Sequence, residues 1–363
     1  MAASVTHTAS SGPGTYVVGV DSGGSGLRVA LGRVGRPGPL STTVCAEPVR
    51  TGPGGIDAGH LLEQVLPAVR GLLEQAAAPA AGDHACRGGI AALAIGAAGM
   101  ATLGERLRTE LPGALDTALG VRRLALAADA VTAYAGAVGQ RPGAVVAGGT
   151  GMIALGTDLK EWRRADGWGH LLGDSGGGAW IGRAGLDAAM RAHDGRRGGS
   201  PALLERLRAA FGPAEELPGL LYPRSDRPAV LASFAPEVAA CAGADPIAAG
   251  ILRQAAGHIA EAAAAVCPTT AGPDGGIDEA GEVALTGGLF RMGEPLITPV
   301  REEVARLLPG ARLTSAAGDP LTGALRIARA LATGELRLPR HPTMLFVPRE
   351  HEAGRDGRAD AAD

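Results

Sequence analysis

The chain has 363 residues, which exceeds a single core of about 100–200 residues and predicts two domains. Hydrophobic residues make up 46% and charged residues 20%, so the composition excludes an intrinsically disordered chain. The formal charge is −3 and no basic run occurs, so we expect no nucleic-acid partner.

A Walker-type phosphate loop is also excluded. Such a loop needs a lysine beside a serine or threonine at the end of a glycine-rich turn. Lys160 is the only lysine in the chain, and Glu161 and Trp162 follow it. Any nucleotide site must therefore bind phosphate by other means.

The four cysteines are far apart and form no CxxC pair: Cys45, Cys86, Cys241 and Cys267. Their spacing suggests neither a zinc cage nor a disulfide framework, which favours the reducing cytoplasm. The first fifteen residues have no positive charge and no apolar core, and the longest uncharged stretches are short and contain glycine. We therefore expect no signal peptide and no membrane contact.

The first part of the chain predicts the order β-β-β-α-β-α. Two apolar runs around a glycine-rich turn predict a hairpin, and a third strand, a helix with a break at Pro67, a buried strand and another helix follow. The corresponding ranges are 16–21, 26–32, 42–47, 56–78, 90–96 and 102–111.

This order then begins again, which predicts a duplicated α/β architecture. A strand and a helix at 124–138 precede a second glycine-tipped hairpin, and the rest of the chain is mostly helical. Asp245 and Pro246 are start signals for a long alanine-rich helix. The later elements are predicted at 144–147, 152–156, 176–191, 201–210, 228–241, 246–266, 282–286, 295–308 and 320–333.

These elements predict five segments. They are a flexible N-terminus (1–14), a first domain (15–120), a second domain with a helical insertion (121–318), a helix packing back on the first domain (319–340) and a disordered tail (341–363).

Three glycine-rich turns follow apolar strands, at Asp21–Ser25, Gly148–Gly151 and Thr286–Gly288. Turns of this kind expose backbone N–H groups that can hold phosphate oxygens without a lysine. A tight turn without a ligand is the alternative for any one of them. The predicted ATP-binding residues are Asp21, Gly23, Gly24, Ser25, Gly149, Thr150, Gly151, Gly287 and Gly288.

Two aspartates stand where buried strands end. Asp21 is placed to hold Mg²⁺ through water beside ATP phosphates, or else to cap the N–H groups of its turn. Asp129 is the only acidic residue between Thr117 and Thr157, and it is either the general base for a sugar hydroxyl or a helix N-cap.

The segment from Asp166 to Trp180 holds two of the three tryptophans, one of them among glycines beside a carboxylate. An indole and a carboxylate suit the binding of a sugar face and its hydroxyls, and a surface loop is the alternative. Trp168 and Asp174 are therefore candidate substrate-binding residues.

The run Gly167-Trp-Gly-His-Leu-Leu-Gly-Asp174, followed by Ala179-Trp-Ile-Gly182, resembles the N-acetylglucosamine kinase and BadF/BadG/BcrA/BcrD ATPase family. The resemblance covers about Val17 to Ala332. It implies an actin/hexokinase-like (ribonuclease H-like) fold of two duplicated βββαβα domains, with ATP and Mg²⁺ in a central cleft. It also implies that Ser25 and Thr150 lie in phosphate turns, that Gly287 and Gly288 lie beneath the nucleoside, and that Asp129 is the base. The substrate-binding residues that it implies are Thr150, Gly167, Trp168, Gly169 and Asp174.

The chain departs from the family pattern at four places. Ser22 and Ser25 replace Gly and Thr, Ser175 replaces Glu, and Met152 replaces Ser. Gly55 ends Thr51-Gly-Pro-Gly-Gly55 where the family's sugar kinases usually have a sugar-binding asparagine, which leaves the acceptor open.

The leading hypothesis is phosphoryl transfer from MgATP to a hydroxyl of an amino sugar, with N-acetylglucosamine ahead of glucosamine. One alternative is an ATPase that activates a partner dehydratase through an iron–sulfur cluster, although no cysteine lies in a motif for one. Another is a catalytically lapsed sugar sensor. The fourteen residues before the first predicted strand are too few for a helix-turn-helix, so a repressor is not expected. A homodimer is left open.

Overall fold

The structure is a computed structural model. It describes residues 15–24, 26–52, 55–77, 89–271 and 277–348, and for residues 269–271 and 277–280 it describes the backbone only. Ser25 and Cys86 therefore lie outside the described residues, as do the predicted N-terminal segment 1–14 and residues 349–363.

Fifteen strands occur in the described part of the chain. They are β1 (Tyr16–Gly23), β2 (Gly26–Arg33), β3 (Ser41–Cys45), β4 (Thr51–Gly52), β5 (Gly55–Ile56), β6 (Ile90–Ala97), β7 (Leu124–Ala128), β8 (Gly143–Gly148), β9 (Met152–Thr157), β10 (Trp162–Asp166), β11 (Thr269–Ala271), β12 (Ile277–Ala280), β13 (Glu282–Thr286), β14 (Arg312–Ser315) and β15 (Leu345–Phe346).

Twelve α-helices accompany these strands within the same residues. They are α1 (Ala58–Ala77), α2 (Met100–Leu103), α3 (Glu105–Leu119), α4 (Asp129–Ala137), α5 (Gly178–His193), α6 (Pro201–Phe211), α7 (Leu217–Leu221), α8 (Arg227–Ser233), α9 (Ala235–Cys241), α10 (Pro246–Val266), α11 (Glu294–Leu307) and α12 (Pro320–Thr333). Two short 3-10 helices lie at Ala214–Glu216 and Gly288–Met292.

The chain divides into two compact units, Met1–Thr132 with Ala324–Asp363, and Ala133–Gly323. Each unit has its own main sheet. The first has the order β15-β7-β6-β1-β2-β3 and the second the order β10-β9-β8-β13-β14. Apart from β15, each sheet is a three-stranded antiparallel meander extended by two parallel strands. The predicted duplication of the α/β pattern is therefore present in the sheets.

The first sheet includes β7, which corrects the predicted start of the second repeat at residue 121. β7 pairs in parallel with β6, with Leu93 opposite Leu124 and Ala97 opposite Ala128. The apolar run at 124–128 identified a strand, but a run of small and apolar residues does not specify its partner. The chain passes into the second unit within α4, after Thr132.

The C-terminal residues complete the first sheet. In α12, the backbone of Leu325 lies so close to β1 that a Cβ added at Gly19 would be 2.6 Å from its nitrogen. Farther on, β15 pairs with β7 through Leu345 and Phe346. The prediction of a disordered tail from residue 341 is thus wrong for residues 341–348, because a two-residue strand leaves no periodic pattern in the sequence.

The helical segment of the second unit follows its start signals. The Asp245 carboxylate accepts N–H bonds from Ile247 at 2.7 Å and Ala248 at 3.3 Å, and Pro246 occupies the first turn of α10. In α5, a Cβ at Gly182 would collide with the carbonyl of Leu231, so this glycine lets α5 and α8 pack closely. Contrary to expectation, α1 runs through Pro67 without a break. No described helix is long and apolar enough to span a membrane.

Candidate active site

The carboxyl ends of β1, β6 and β7 meet at one edge of the first sheet. The parallel registers place Asp21, Gly96 and Ala127 in one row across these strands. Asp129 follows β7 directly. Because β6 lies between β1 and β7, Asp21 and Ala127 are about 10 Å apart across the sheet, and Asp129 lies two residues beyond Ala127. The structure therefore places Asp21 and Asp129 at the same edge of the first sheet.

Asp21 is held by an ion pair across the hairpin. Its Oδ2 accepts bonds from Arg28 Nη2 at 2.6 Å and Nε at 3.1 Å, and Arg28 stands directly opposite it on β2. The carboxylate side chain is only 15% exposed. A partly buried carboxylate that an ion pair fixes at a strand end is a preorganised group for a cation or a hydrogen-bond donor.

Asp129 is exposed at the first position of α4. Its Oδ1 accepts the N–H of Ala130 at 2.9 Å, so the predicted capping role is present in part. Gly96 lets α4 lie close over β6, because a Cβ there would be 2.6 Å from the Thr132 side chain. Exposure of the carboxylate leaves it accessible to a substrate hydroxyl as well.

No steric contact within the described residues requires glycine at the two positions 23 and 24 of the first turn. A Cβ added at Gly23 or Gly24 would meet nothing within 4 Å. Both backbone conformations also lie outside the left-handed region, since neither glycine has a positive φ. An absent side chain here leaves the backbone N–H groups open to close approach by a ligand.

The second and third turns lie side by side in the second unit. β8 and β13 are parallel neighbours with Ala147 opposite Thr286, so the turns that follow them share one edge of the sheet. Gly287 has φ 102°, and a Cβ there would collide with the backbone of Gly148. Only glycine permits this contact between the turns.

The N-terminus of α5 supports the second turn. Gly178 N donates to Gly149 O at 2.9 Å and Ala179 N to Thr150 O at 2.8 Å. A Cβ at Gly177 would lie 2.7 Å from the Gly151 carbonyl carbon, and one at Gly178 would lie 2.6 Å from Gly149 O. Gly177 and Gly178, at the start of α5, therefore allow the N-terminus of this helix to pack against the turn and hold it by hydrogen bonds.

Asp174 joins this turn to the Trp168 loop (residues 167–173). Its Oδ1 accepts the N–H of Gly169 at 3.1 Å, and its Oδ2 lies where a Cβ of Gly151 would be. Burial raises the pKa of this carboxyl, and the neighbouring Asp166 charge raises it further, whereas the Gly169 and Met152 amides lower it. One carboxylate thus contacts both predicted functional segments of the second unit.

The Trp168 loop exposes an apolar surface. The indole of Trp168 is 62% exposed, and the Arg164 guanidinium stacks on it with a distance of 4.2 Å from Cζ to the ring centroid. Arg164 also donates to the carbonyls of Asp166 at 3.0 Å and Gly167 at 2.5 Å. Leu171 and Leu172 are still more exposed than Trp168. Arg164 therefore fixes the start of the loop and one face of its indole.

Sequence reasoning missed Arg164 and Asp166. The available indication was the Asp166-Gly167 dipeptide, which favours left-handed backbone, but the hydrogen bonds of Asp166 reach residues that are eight and nine positions away.

The structure also explains two departures from the family pattern. Gly55 has φ 92°, and a Cβ there would collide with the carbonyl of Leu103, so this backbone cannot carry an asparagine. Met152 is buried in the core of the second unit, so its side chain packs there and only its backbone is available to the turn.

At the predicted Mg²⁺ site, the described residues allow a water-mediated contact with the metal ion and offer no set of direct ligands. No group of three His, Cys, Asp or Glu residues that could hold a metal occurs in the described ranges. Mg²⁺ bound mainly to nucleotide phosphates needs one or two protein carboxylates at most, which Asp21 can supply. Of the cysteines that are described, Cys45, Cys241 and Cys267 are free thiols.

Two sheets of the same order, with glycine turns at the carboxyl ends of their parallel strands, define an actin/hexokinase-like α/β protein. Solved structures confirm this predicted fold. A ROK family glucokinase from Streptomyces griseus, in complex with glucose and AMPPNP, matches with TM-score 0.50 and 18% identity over 86% of this chain and 98% of that one.

The chain belongs to the BadF/BadG/BcrA/BcrD ATPase family, whose model matches residues 18–328. This confirms the predicted family.

Two similar structures are putative N-acetylglucosamine kinases. The protein from Chromobacterium violaceum is 29% identical, with TM-score 0.60 over 88% of this chain and 99% of that one. The protein from Porphyromonas gingivalis is 18% identical, with TM-score 0.61 over 87% and 98%.

A curated relative matches over a shorter segment. The N-acetylmuramic acid/N-acetylglucosamine kinase of Clostridium acetobutylicum is 43% identical over 79 residues, which are 21% of this chain and 25% of the relative. The match therefore spans about a quarter of that protein's length.

Proposed function

We propose that this protein is an ATP-dependent kinase that phosphorylates a hydroxyl of an amino sugar, with N-acetylglucosamine as the first candidate. The similar structures from Chromobacterium violaceum and Porphyromonas gingivalis and the curated relative carry names of this activity, which supports the proposal. A cytoplasmic location and the use of ATP with Mg²⁺ belong to the same proposal.

The observation that carries the proposal is the position of the Asp174 carboxylate. It contacts the Gly148–Gly151 turn, a candidate phosphate site, and the Trp168 loop, a candidate sugar site. A kinase must hold a phosphate chain and an acceptor side by side, because phosphoryl transfer depends mainly on positioning and charge stabilisation. Asp174 retains lone pairs for sugar hydroxyls after it accepts its backbone bonds.

We assign the following roles, which the exposure of Asp129 and the contacts of Asp21 support. Asp129 accepts the proton of the acceptor hydroxyl while that oxygen bonds to the γ-phosphorus and the bond to ADP breaks. The turns at Gly23–Gly24, Gly149–Gly151 and Gly287–Gly288 bind the nucleotide. Mg²⁺, when bound, neutralises charge on the phosphates, and Asp21, fixed by Arg28, would contact it through water.

Substitution of the proposed base tests the reaction. Asp129→Asn should lower kcat by about 10²- to 10⁴-fold, because the amide cannot take the proton. The affinity for ATP should stay within about twofold of the wild type, since the predicted phosphate turns are unchanged. Coupled ADP release with N-acetylglucosamine, glucosamine, hexoses and no acceptor measures kcat, and calorimetry measures ATP binding.

Asp116→Asn is the matched control, because Asp116 is another exposed helical aspartate of the first unit. It should retain wild-type turnover. Near-normal turnover in Asp129→Asn would remove this residue from the mechanism. ADP release that no acceptor increases would contradict the kinase proposal and favour the ATPase alternative.

A further inference from the structure

Asp166 has no assigned role, yet its carboxylate is fully engaged at the candidate site. Oδ1 accepts the N–H of Asp174 at 2.5 Å, and Oδ2 accepts the N–H of Ser175 at 2.9 Å. Both acceptors of one side chain are thus directed at the backbone that carries Asp174. An aspartate that binds two successive amides fixes the orientation of the peptide between them.

The backbone at both aspartates is strained. Asp166 has φ 61° and Asp174 has φ 55°, and Leu159 is the only other residue besides glycine with a positive φ in the described ranges. The left-handed region is unfavourable for residues other than glycine, so neighbouring contacts must hold them there. For Asp174, the two bonds from Asp166 supply that restraint.

The restraint acts where Asp174 meets its partners. With the backbone of Asp174 held, its side chain contacts Gly169 N on one side and Gly151 on the other. A rotation of the peptide at 174 would move this carboxylate away from both. Asp166 lies at the end of β10, a strand paired with β9 through Asp166 and Ile153, so it is itself anchored in the sheet.

We infer that Asp166 is a positioning residue for acceptor binding, one that acts only through Asp174. The inference rests on the proposed kinase function. It assigns Asp166 no contact with the sugar and no proton transfer.

The test is Asp166→Asn, in which one carboxylate acceptor is replaced by an NH₂ donor that faces a backbone N–H. We expect the acceptor KM to rise and the acceptor kcat/KM to fall by about 10- to 100-fold, because small misplacements of a binding group can cost this much. The KM for ATP should change by less than about threefold, since Asp166 contacts no predicted phosphate turn.

Asp158→Asn is the matched control. Asp158 accepts the N–H groups of Lys160 at 2.9 Å and Glu161 at 3.1 Å, the same type of bond at the opposite end of the β9–β10 hairpin. Its loss should leave the acceptor KM within about twofold of the wild type. Equal acceptor kinetics in the two variants would overturn the positioning role.

The variant Asp166→Gly distinguishes the effect of the hydrogen bonds that the Asp166 carboxylate accepts from the effect of the left-handed backbone at this position. Glycine adopts φ near 61° freely, so this variant keeps the fold but lacks the carboxylate. It should show the same acceptor defect as Asp166→Asn. Wild-type acceptor kinetics in Asp166→Gly would show that only the backbone conformation matters and would overturn the inference.

Amide hydrogen exchange measures how firmly Asp166 holds the backbone at Asp174 and Ser175, and it does not depend on enzymatic activity. Amide exchange at Asp174 and Ser175 should become faster in both Asp166 variants and remain unchanged in Asp158→Asn. Unchanged exchange would reject the positioning role. Absence of acceptor phosphorylation by the wild-type protein would instead reject the proposed function, so the two failures can be told apart.

Discussion

Asp174 combines a strained backbone with a half-buried carboxyl group whose proton affinity is altered. Burial is the main cause of the raised pKa, and the negative charge of Asp166 adds to it. The ionised form accepts the Gly169 N–H, and a proton on this group would remove part of that capacity. We therefore expect protonation of Asp174 to weaken its hydrogen bond with the Trp168 loop.

The pH dependence of acceptor use should reveal this group. Because a raised pKa lets the proton bind at higher pH, the acid limb of acceptor kcat/KM should lie above the ordinary aspartate range. Asp166→Asn removes the neighbouring negative charge and should shift that limb to lower pH. Profiles from pH 4 to 8 at saturating ATP measure both midpoints.

Recovery of full activity after return to neutral pH controls for unfolding. A limb at or below the ordinary aspartate value, or one that Asp166→Asn shifts upward, would contradict this role for Asp174.

At the residue scale, sequence reasoning could find Asp21, Asp129 and Asp174 because each is a carboxylate next to a recognisable turn or strand end. Their catalytic and binding roles stay predictions. The sequence could not show that Arg28 pairs with Asp21, because that contact depends on the hairpin register. It could not show the bonds of Asp166 for the same reason, since they depend on how the loop folds back.

Two glycines in the turn between β8 and β9, Gly149 and Gly151, have different surroundings. Gly151 lies against the Asp174 carboxylate, whereas a Cβ at Gly149 would meet nothing within 4 Å. Neither has a positive φ, so alanine is compatible with both backbones. Substitutions at the two positions therefore test separately the proposed roles of this turn in acceptor binding and in nucleotide binding.

Gly151→Ala should displace the Asp174 carboxylate and raise the acceptor KM by about tenfold or more. Gly149→Ala should instead raise the KM for ATP, because its methyl group would occupy the space that a phosphate needs. Steady-state kinetics with each substrate varied in turn measure both effects.

Gly71→Ala, in α1, is the control, since a Cβ there also meets nothing within 4 Å and alanine favours a helix. It should leave both KM values unchanged. Identical kinetic profiles of Gly149→Ala and Gly151→Ala would contradict the division.

At the element scale, the glycine-tipped hairpins and the start of α10 could be predicted from local chemistry. Strand partners could not be predicted in this way. The run at 124–128 is apolar on both faces, and nothing in it distinguishes pairing with β6 from the start of a new sheet. The two residues of β15 are too few for any period.

For the whole molecule, the C-terminal segment is an integral part of the first unit. Leu338, Met344 and Leu345 are buried, and the N–H of Ala128 donates to Met344 O at 2.8 Å. Ending the chain after Thr333 should destabilise the protein by about 3 kcal/mol or more, because each large buried side chain contributes about 1.5–3 kcal/mol. Thermal unfolding monitored by circular dichroism measures the loss.

A chain that ends after Pro348 is the control, because it retains β15 and every contact described for the first unit. Its Tm should stay within about 1 °C of the full-length value. Equal Tm values for the two truncated chains would show that β15 and its neighbours contribute little.

The same arrangement sets an order of events on the ribosome. Ala133–Gly323 is continuous in the chain, so all of its strands are synthesised before β15. In the first unit, the edge of β7 that pairs with Leu345 and Phe346 stays unpaired until these residues leave the ribosome. We therefore expect the strands of the second unit to be available for pairing before the first sheet is complete, while the edge of β7 stays exposed until β15 can pair with it.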